Sequence, residues 1–544
     1  MRNYRLHILR LSLLFFSIFI TTACNKDNFT DEDELLALEV PVELQLQLSL
    51  KGTDTDSRTR TVVGDLDGFD PEENKITSIT VFVINLDASN NLDWNKVKYS
   101  SQGVNQPPSP SNLKFTVNVK LKTSPGKKYI YVGANMTPDQ RESFCANKGV
   151  YTSQGTTYTD VINDFVDINS NGRGIVMFGQ MHTETTFGIF DNPVVEITGP
   201  TDETNPLNTK LELSRVVSKV ALTYEPSTPG FATIASGIDG SINANNIYFM
   251  LNNTSKSIDF IKGMNSGYSR YSMNGYMAYN TNSSFNSLMY YYRKNPTNDF
   301  MFYAAPDPFV YGENESDNYT VAKIDLPFDM GTDNPYCQGL EEYDPLLTWE
   351  KHYTSSLYCL ENTVETDDVP DPTKVLSMRH GINTRVVVAA KYTPEKVWHY
   401  DGSSLTEWTI LSESAMDAIT NNPADAANGV GTFYAVLQST SPINVYKYYT
   451  YDAVEHLINL GGDLPNFITY KGGYGYYATL ISQQAIPADQ LIDDNYNMYR
   501  NNYYVLRVQE FIPPGVVYPQ DVYMLVNSVK TPWTTGKITT VTVD

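Results

Sequence analysis

The most regular stretch of the chain is residues 38–50, where Leu38, Val40, Val42, Leu44, Leu46, Leu48 and Leu50 alternate with Glu39, Pro41, Glu43, Gln45, Gln47 and Ser49. Strict period two buries one face of a strand and leaves the other in water. Pro41 lacks the N–H that a ladder needs, so its end of the strand is expected at a sheet edge. Apolar or alternating runs bounded by Gly, Pro and Asn predict further strands at 79–86, 113–121, 129–134, 175–179 and 194–198. The same signal returns at 247–251, 300–305, 321–326, 385–392, 433–437, 476–482, 503–508, 522–529 and 537–543. The run 211–224 changes phase near Arg215, as a strand does when it bulges or passes between two packed environments. Residues 226–230 (PSTPG) then break the pattern and predict a domain boundary. Helical spacing is confined to 138–147, 407–419 and 453–460.

Many short strands with turn punctuation predict an all-β chain of β-sandwich domains, with few short helices. Long loops rich in Asn, Ser, Tyr and Met over 254–298 would decorate the second domain, and no solenoid or propeller repeat is visible. Composition agrees: 41% of the 544 residues are hydrophobic, enough for buried cores, and 39 Tyr favour pleated surfaces. A formal charge of −23 excludes nucleic acid as a partner, because phosphate binding needs a basic face.

The N-terminus reads as an address. Arg2, Arg5 and Arg10 precede an apolar run at 11–20, of the length of a signal h-region and too short to span a bilayer. Small residues ending on Cys24 resemble the lipobox of bacterial lipoproteins, and acylation of Cys24 would anchor the chain to a membrane; ordinary signal cleavage nearby is the rival reading. The acidic stretch 25–34 reads as a tether. Residues 51–60 (KGTDTDSRTR) are small and polar and carry Arg58 and Arg60, a segment suited to a trypsin-like cleft.

Little else points to chemistry. His7, His182, His352, His380, His399 and His456 are scattered without metal-ligand spacing, and no HExxH, CxxC or G-x-S-x-G occurs, so neither a catalytic site nor a cofactor is expected. The carboxylates at 65–72 have the density of a calcium loop without EF-hand spacing, and the solvated turn is the preferred reading. Gly472-Gly473-Tyr474-Gly475 reads as a turn before a strand. Cys145, Cys337 and Cys359 are too few for a disulfide framework; Cys337 and Cys359 either pair or stay reduced, and Cys145 is expected as a buried thiol in a short helix.

In their order along the chain these features resemble the Bacteroidetes fimbrillins, the type V pilin superfamily, and most closely the minor fimbrium (Mfa1-like) major subunit. The residues that carry the resemblance are Cys24, the strand at 38–50, Arg58 and Arg60, the strand at 79–86, the segment 213–222 (LSRVVSKVAL), residues 501–505 (NNYYV), and Pro532-Trp533 with the tail behind them. The resemblance implies two transthyretin-like β-sandwich domains in tandem. It implies a precursor exported as an outer-membrane lipoprotein, with palmitate on Cys24, and matured by an Arg-specific, trypsin-like protease. Polymerisation into surface fimbriae would follow by strand exchange with other copies and accessory subunits, supporting adhesion to a host or bacterial receptor. The chain then divides into a signal and lipobox at 1–24, a tether, removable strand and cleavage segment at 25–60, a first domain at 61–226 and a second at 227–544.

The residues supply a physical motive. Cutting after Arg58 or Arg60 separates the strand that holds Leu38, Val40, Val42, Leu44, Leu46, Leu48 and Leu50 from the body. A strand that leaves exposes unpaired backbone and apolar pockets, which another strand can fill. The candidate donor is the tail 537–544, with Ile538, Val541 and Val543; the alternative is that this tail closes its own domain. A head-to-tail contact that does not close generates a filament. Two other readings stand beside it: a non-polymerising surface adhesin or glycan-binding lipoprotein, and a tip or anchor subunit.

Overall fold

The computed structural model describes residues 39–50, 71–87, 91–106, 114–155, 158–181, 194–261, 356–361, 384–440, 444–461, 464–481 and 500–515, apart from single-residue gaps, with short pieces at 300–301, 338–342 and 524–532 and the single residues 89 and 498. The strands expected at 321–326 and 537–543 lie outside these residues, as does most of the loop region 254–298.

The all-β expectation holds: nearly every described element is a strand, and the strands form several sheets. In the first half, β1 (Val40–Leu50), β2 (Ile76–Leu86), β3 (Leu92–Gln106), β4 (Lys114–Thr123) and β5 (Gly126–Ala134) join Met177–Met181 and Leu207–Arg215 in one sheet. Its order is β3, β2, β5, Met177–Met181, Leu207–Arg215, β1, β4, with Val195–Ile197 added beside β5. The two ends of this order meet where the Gln102 amide donates to the Asn118 carbonyl at 2.8 Å, so the sheet curls around one core. That core is built from the inward residues of β1 together with Ile79, Val81 and Val83 of β2, Ile130 and Val132 of β5, and Leu211 and Leu213. Phe82 and Ile84, on the other face of β2, pack into a second core with Phe144 and Phe178. β2 is therefore apolar on both faces, which explains its continuous rather than alternating run.

The phase change near Arg215 marks a passage between two environments. Leu207–Arg215 pairs with β1 and with Met177–Met181, whereas Val217–Tyr224 pairs with Ser356–Leu360 and, in parallel, with Asn502–Phe511. The change of sheet falls at Val216, ahead of the break at 226–230. All eight residues of Val217–Tyr224 are buried. A further sheet runs Pro226–Thr228, Phe231–Ala232, Gly240–Asn252, Arg385–Pro394, Tyr474–Leu480. Between its last two strands the chain makes an excursion that folds into its own sheet, ordered Leu405–Thr409, Lys396–Tyr400, Val445–Tyr449, Phe433–Ser439, Ile468–Tyr470.

The helices expected at 138–147 and 453–460 are Pro138–Ala146 and Tyr451–Leu460. The first begins with a reciprocal cap between Thr137 and Gln140. The helix expected over 407–419 is corrected: Leu405–Thr409 is a strand and the helix is Glu413–Thr420. Trp408 and Thr409 pair with Val397 and Lys396, and the Ser412 hydroxyl, accepting from the Ala415 N–H, sets the start of the helix behind them. Gly472 and Gly473, both at positive φ, form the turn read from the sequence before Tyr474–Leu480. Among the described residues no helix is long and apolar enough to cross a membrane.

Candidate functional site

β1 occupies a slot between two strands. It runs antiparallel to β4 from Val40↔Thr123 to Ser49↔Lys114, and parallel to Leu207–Arg215 from Leu44↔Leu207 to Leu50↔Leu213. Val42, Leu44, Leu46, Leu48 and Leu50 are each at most 4% exposed; Val40 is half-buried and Leu38 lies outside the described residues. Five such side chains contribute roughly 8–15 kcal/mol of gross burial, at about 1.5–3 kcal/mol apiece.

The parallel partner begins only opposite Leu44, so Val40–Glu43 extends beyond it. Pro41 therefore sits at an edge position of a strand whose middle is interior, as its missing N–H requires. Thr201 closes that side. Its N–H donates to the Pro41 carbonyl at 3.1 Å, and its Oγ1 accepts from the Glu43 N–H at 2.7 Å and donates to the Glu43 carbonyl at 3.0 Å. The Glu43 carboxylate lies 3.7 Å from Lys120, which also contacts Glu203 at 2.5 Å, and Glu39 pairs with Lys98 of β3 at 2.9 Å. These ion pairs reach solvent and add little to stability; the apolar row and the two ladders hold the strand.

Arg58, Arg60 and the carboxylates at 65 to 70 lie outside the described residues, as do Cys24, Ile538, Val541 and Val543. The chain re-enters at the turn Pro71–Asn74, and that turn is anchored in a buried polar cluster. Lys219 donates to the Glu73 carboxylate at 2.6 Å, and the Tyr358 hydroxyl donates to the same oxygen at 2.6 Å. The Arg215 guanidinium donates to the Glu73 carbonyl at 3.3 Å, to Asn501 Oδ1 at 3.2 Å and to the Asn74 side chain. The Lys219 ammonium also lies over the rings of Tyr358 and Tyr503, 5.7 and 5.5 Å from their centroids. Burial opposes the charge on Glu73, but Lys219, the hydrogen bonds from Lys219 and Tyr358, and Arg215 together hold its carboxyl below the ordinary value. Asn135, at φ 59°, braces the start of β2 by accepting from the Thr77 N–H and donating to the carbonyls of Lys75 and Ile175.

The sequence signal for this cluster is two bases, Arg215 and Lys219, inside an otherwise apolar run, since buried charges must be paired. Their partners lie more than 140 positions away in the chain and carry no local mark. Cys359 is a buried thiol whose pKa burial pushes up, while Cys145 on Pro138–Ala146 is half-buried rather than buried as expected; Cys337 lies outside the described residues. His399 Nδ1 lies 3.1 Å from Thr450 Oγ1, and His456 stacks on Tyr400 with ring centroids 3.9 Å apart. Among the described residues no group of three or more His, Cys, Asp or Glu is placed to hold a metal ion.

β1 is thus a strand with two ladder partners and its own row of core pockets, followed in the sequence by a segment that holds Arg58 and Arg60. Residues 42–215 match the family of the major fimbrial subunit protein (FimA), a segment that begins inside β1 and ends where the first sheet ends. Over that segment the chain is similar to a family of fimbrial subunit proteins. Solved structures that align with it include a fimbrilin (fimA) from Porphyromonas gingivalis W83, at 12% identity over 91% of this chain and 98% of that one, with a TM-score of 0.34. The tip fimbrial protein Mfa3 from Porphyromonas gingivalis aligns at 11% identity over 91% and 100%, with a TM-score of 0.32. A fimbrial assembly protein from Parabacteroides distasonis aligns at 10% over 80% and 99%, with a TM-score of 0.26. No curated protein sequence matches the chain.

Proposed function

We propose that this chain is a stalk subunit of surface fimbriae that polymerises by exchanging β1 for a strand of a neighbouring copy. The observation that carries the reading is the position of β1: it fills five core pockets and two ladders, yet it joins the body only through residues 51–70, which hold Arg58 and Arg60. Cleavage there would empty a slot that is strongly driven to refill, and the tail with Ile538, Val541 and Val543 is the donor with the right composition. The division of the chain on this reading is a lipidated precursor anchored to the outer membrane through Cys24, a removable segment at 25–60, and two β-sandwich domains at 61–226 and 227–544. The anchored turn Pro71–Asn74 supports this order of events, because Glu73 ties the new N-terminal end to Lys219 and leaves β1 as the part that departs.

After cleavage behind Arg60 the remaining 484 residues keep a formal charge of −21, which holds fibres soluble and laterally apart. The placing nearest the Mfa1-like major subunit rests on the residues 213–222 and 501–505 and on Pro532-Trp533. N-terminal sequencing of the mature surface protein tests the scheme. A start at Thr59 or Thr61 supports it; a start at acylated Cys24 makes the chain a permanently anchored lipoprotein or an uncleaved anchor subunit.

A further inference from the structure

We propose that the cleft between the hairpin 226–232 and the start of the helix Glu413–Thr420 binds a neutral sugar unit of a glycan. The cleft holds about 740 Å³, within the range of small-molecule sites. Its character follows from three sets of residues.

The first set is charged and already spoken for. Glu413 and Asp417, one helical turn apart, share the Lys391 ammonium at 2.8 and 3.0 Å, and the Asn246 amide donates to both Glu413 oxygens at 2.8 and 2.9 Å. Two carboxylates on one ammonium leave a small negative excess, which disfavours phosphates and acidic sugars. A cationic ligand would have to compete with a nearly buried lysine for the same oxygens. The second set is uncharged: the Thr228 and Ser241 hydroxyls line the cleft and make no hydrogen bond among the described residues, and Asn243 accepts only from the Asn245 N–H, which leaves its NH₂ group to donate. Each hydroxyl can give or take a proton, as a polyol requires. The third set is apolar and exposed. Phe231 and Leu411, 38% and 89% exposed, form a rim against which the C–H face of a pyranose can pack.

This inference is independent of strand exchange, since none of these residues touches β1 or its slot. Saturation-transfer NMR on the full mature chain tests it, with the methyl glycosides of glucose, galactose, mannose and N-acetylglucosamine as probes and the methyl glycoside of N-acetylneuraminic acid as the acidic comparison. We expect transfer to at least one neutral probe. Phe231→Ala, which removes the apolar rim, and Asn243→Ala, which removes the donating amide, each checked for an unchanged melting temperature, should each weaken it about tenfold or more. No transfer to any neutral probe, transfer that survives both substitutions, or a preference for the acidic probe would overturn the proposal.

Discussion

The Glu73 carboxylate and the Lys219 ammonium meet at 2.6 Å with side chains no more than 2% exposed, and they join the turn Pro71–Asn74 to the strand Val217–Tyr224 of the next sheet. Burying two charges is costly, and breaking such a pair by removing one partner costs about 3–5 kcal/mol because the other charge is left without compensation. Glu73→Gln should therefore lower the unfolding free energy by that amount at neutral pH, as read by urea denaturation.

The same pair gives a pH dependence of definite sign. A carboxyl held below its ordinary value of 4.5 contributes stability that is fully present above that value and is lost as the pH falls through the depressed folded value. The stability gap between the wild type and Glu73→Gln should close as the pH falls below about 4.5. A gap that stays constant into that range would remove Glu73 from the acid response.

Leu46 is fully buried in the slot. Leu46→Ala should cost the uncleaved precursor about 2–5 kcal/mol through lost transfer and a residual cavity. Once β1 has been cleaved off and replaced, the same substitution should have no effect on the polymerised subunit. Thermal melts of precursor and fibre separate the two; an equal loss in both means that β1 stays in place.

Much of this was legible in advance, for identifiable reasons. Period-two alternation over 38–50 reports one buried face directly, so β1 could be read; the slip of phase at Arg215 allowed a bulge or a passage between two environments, and the pairing shows the second. Two things could not. The helix expected over 407–419 joined a strand to a helix, because Trp408 and Ile410 fit either period and only the Ser412 cap separates them. The Glu73 cluster depends on pairing across 146 residues, and no periodicity encodes which carboxylate a buried lysine meets.

Lys128 is another buried base, held by Asn85 Oδ1 at 2.5 Å, the Ser124 hydroxyl at 2.9 Å and the Pro125 carbonyl at 3.3 Å. Burial, with the nearby charge of Lys96, lowers its pKa from 10.5 to about 8. Between those values the unfolded chain binds more protons than the folded one, so this group's contribution to stability rises with pH. Relative to Lys128→Met, the wild type should gain stability between about pH 8 and 10.5, measured by denaturation at a series of pH values. A flat difference would mean that Lys128 titrates normally.

Arg58→Ala combined with Arg60→Ala should leave the surface protein uncleaved and unpolymerised. Either single substitution should shift the mature N-terminus to the residue after the arginine that remains. Mass spectrometry of surface protein from the three variants gives the answer.

The most direct measurement is electrophoresis, under non-dissociating conditions, of surface protein from cells carrying the wild type or a chain that lacks residues 537–544. Strand exchange predicts a protease-dependent ladder for the wild type and only cleaved monomer for the shortened chain. A ladder unchanged by the deletion would contradict the tail as the strand that refills the slot left by β1.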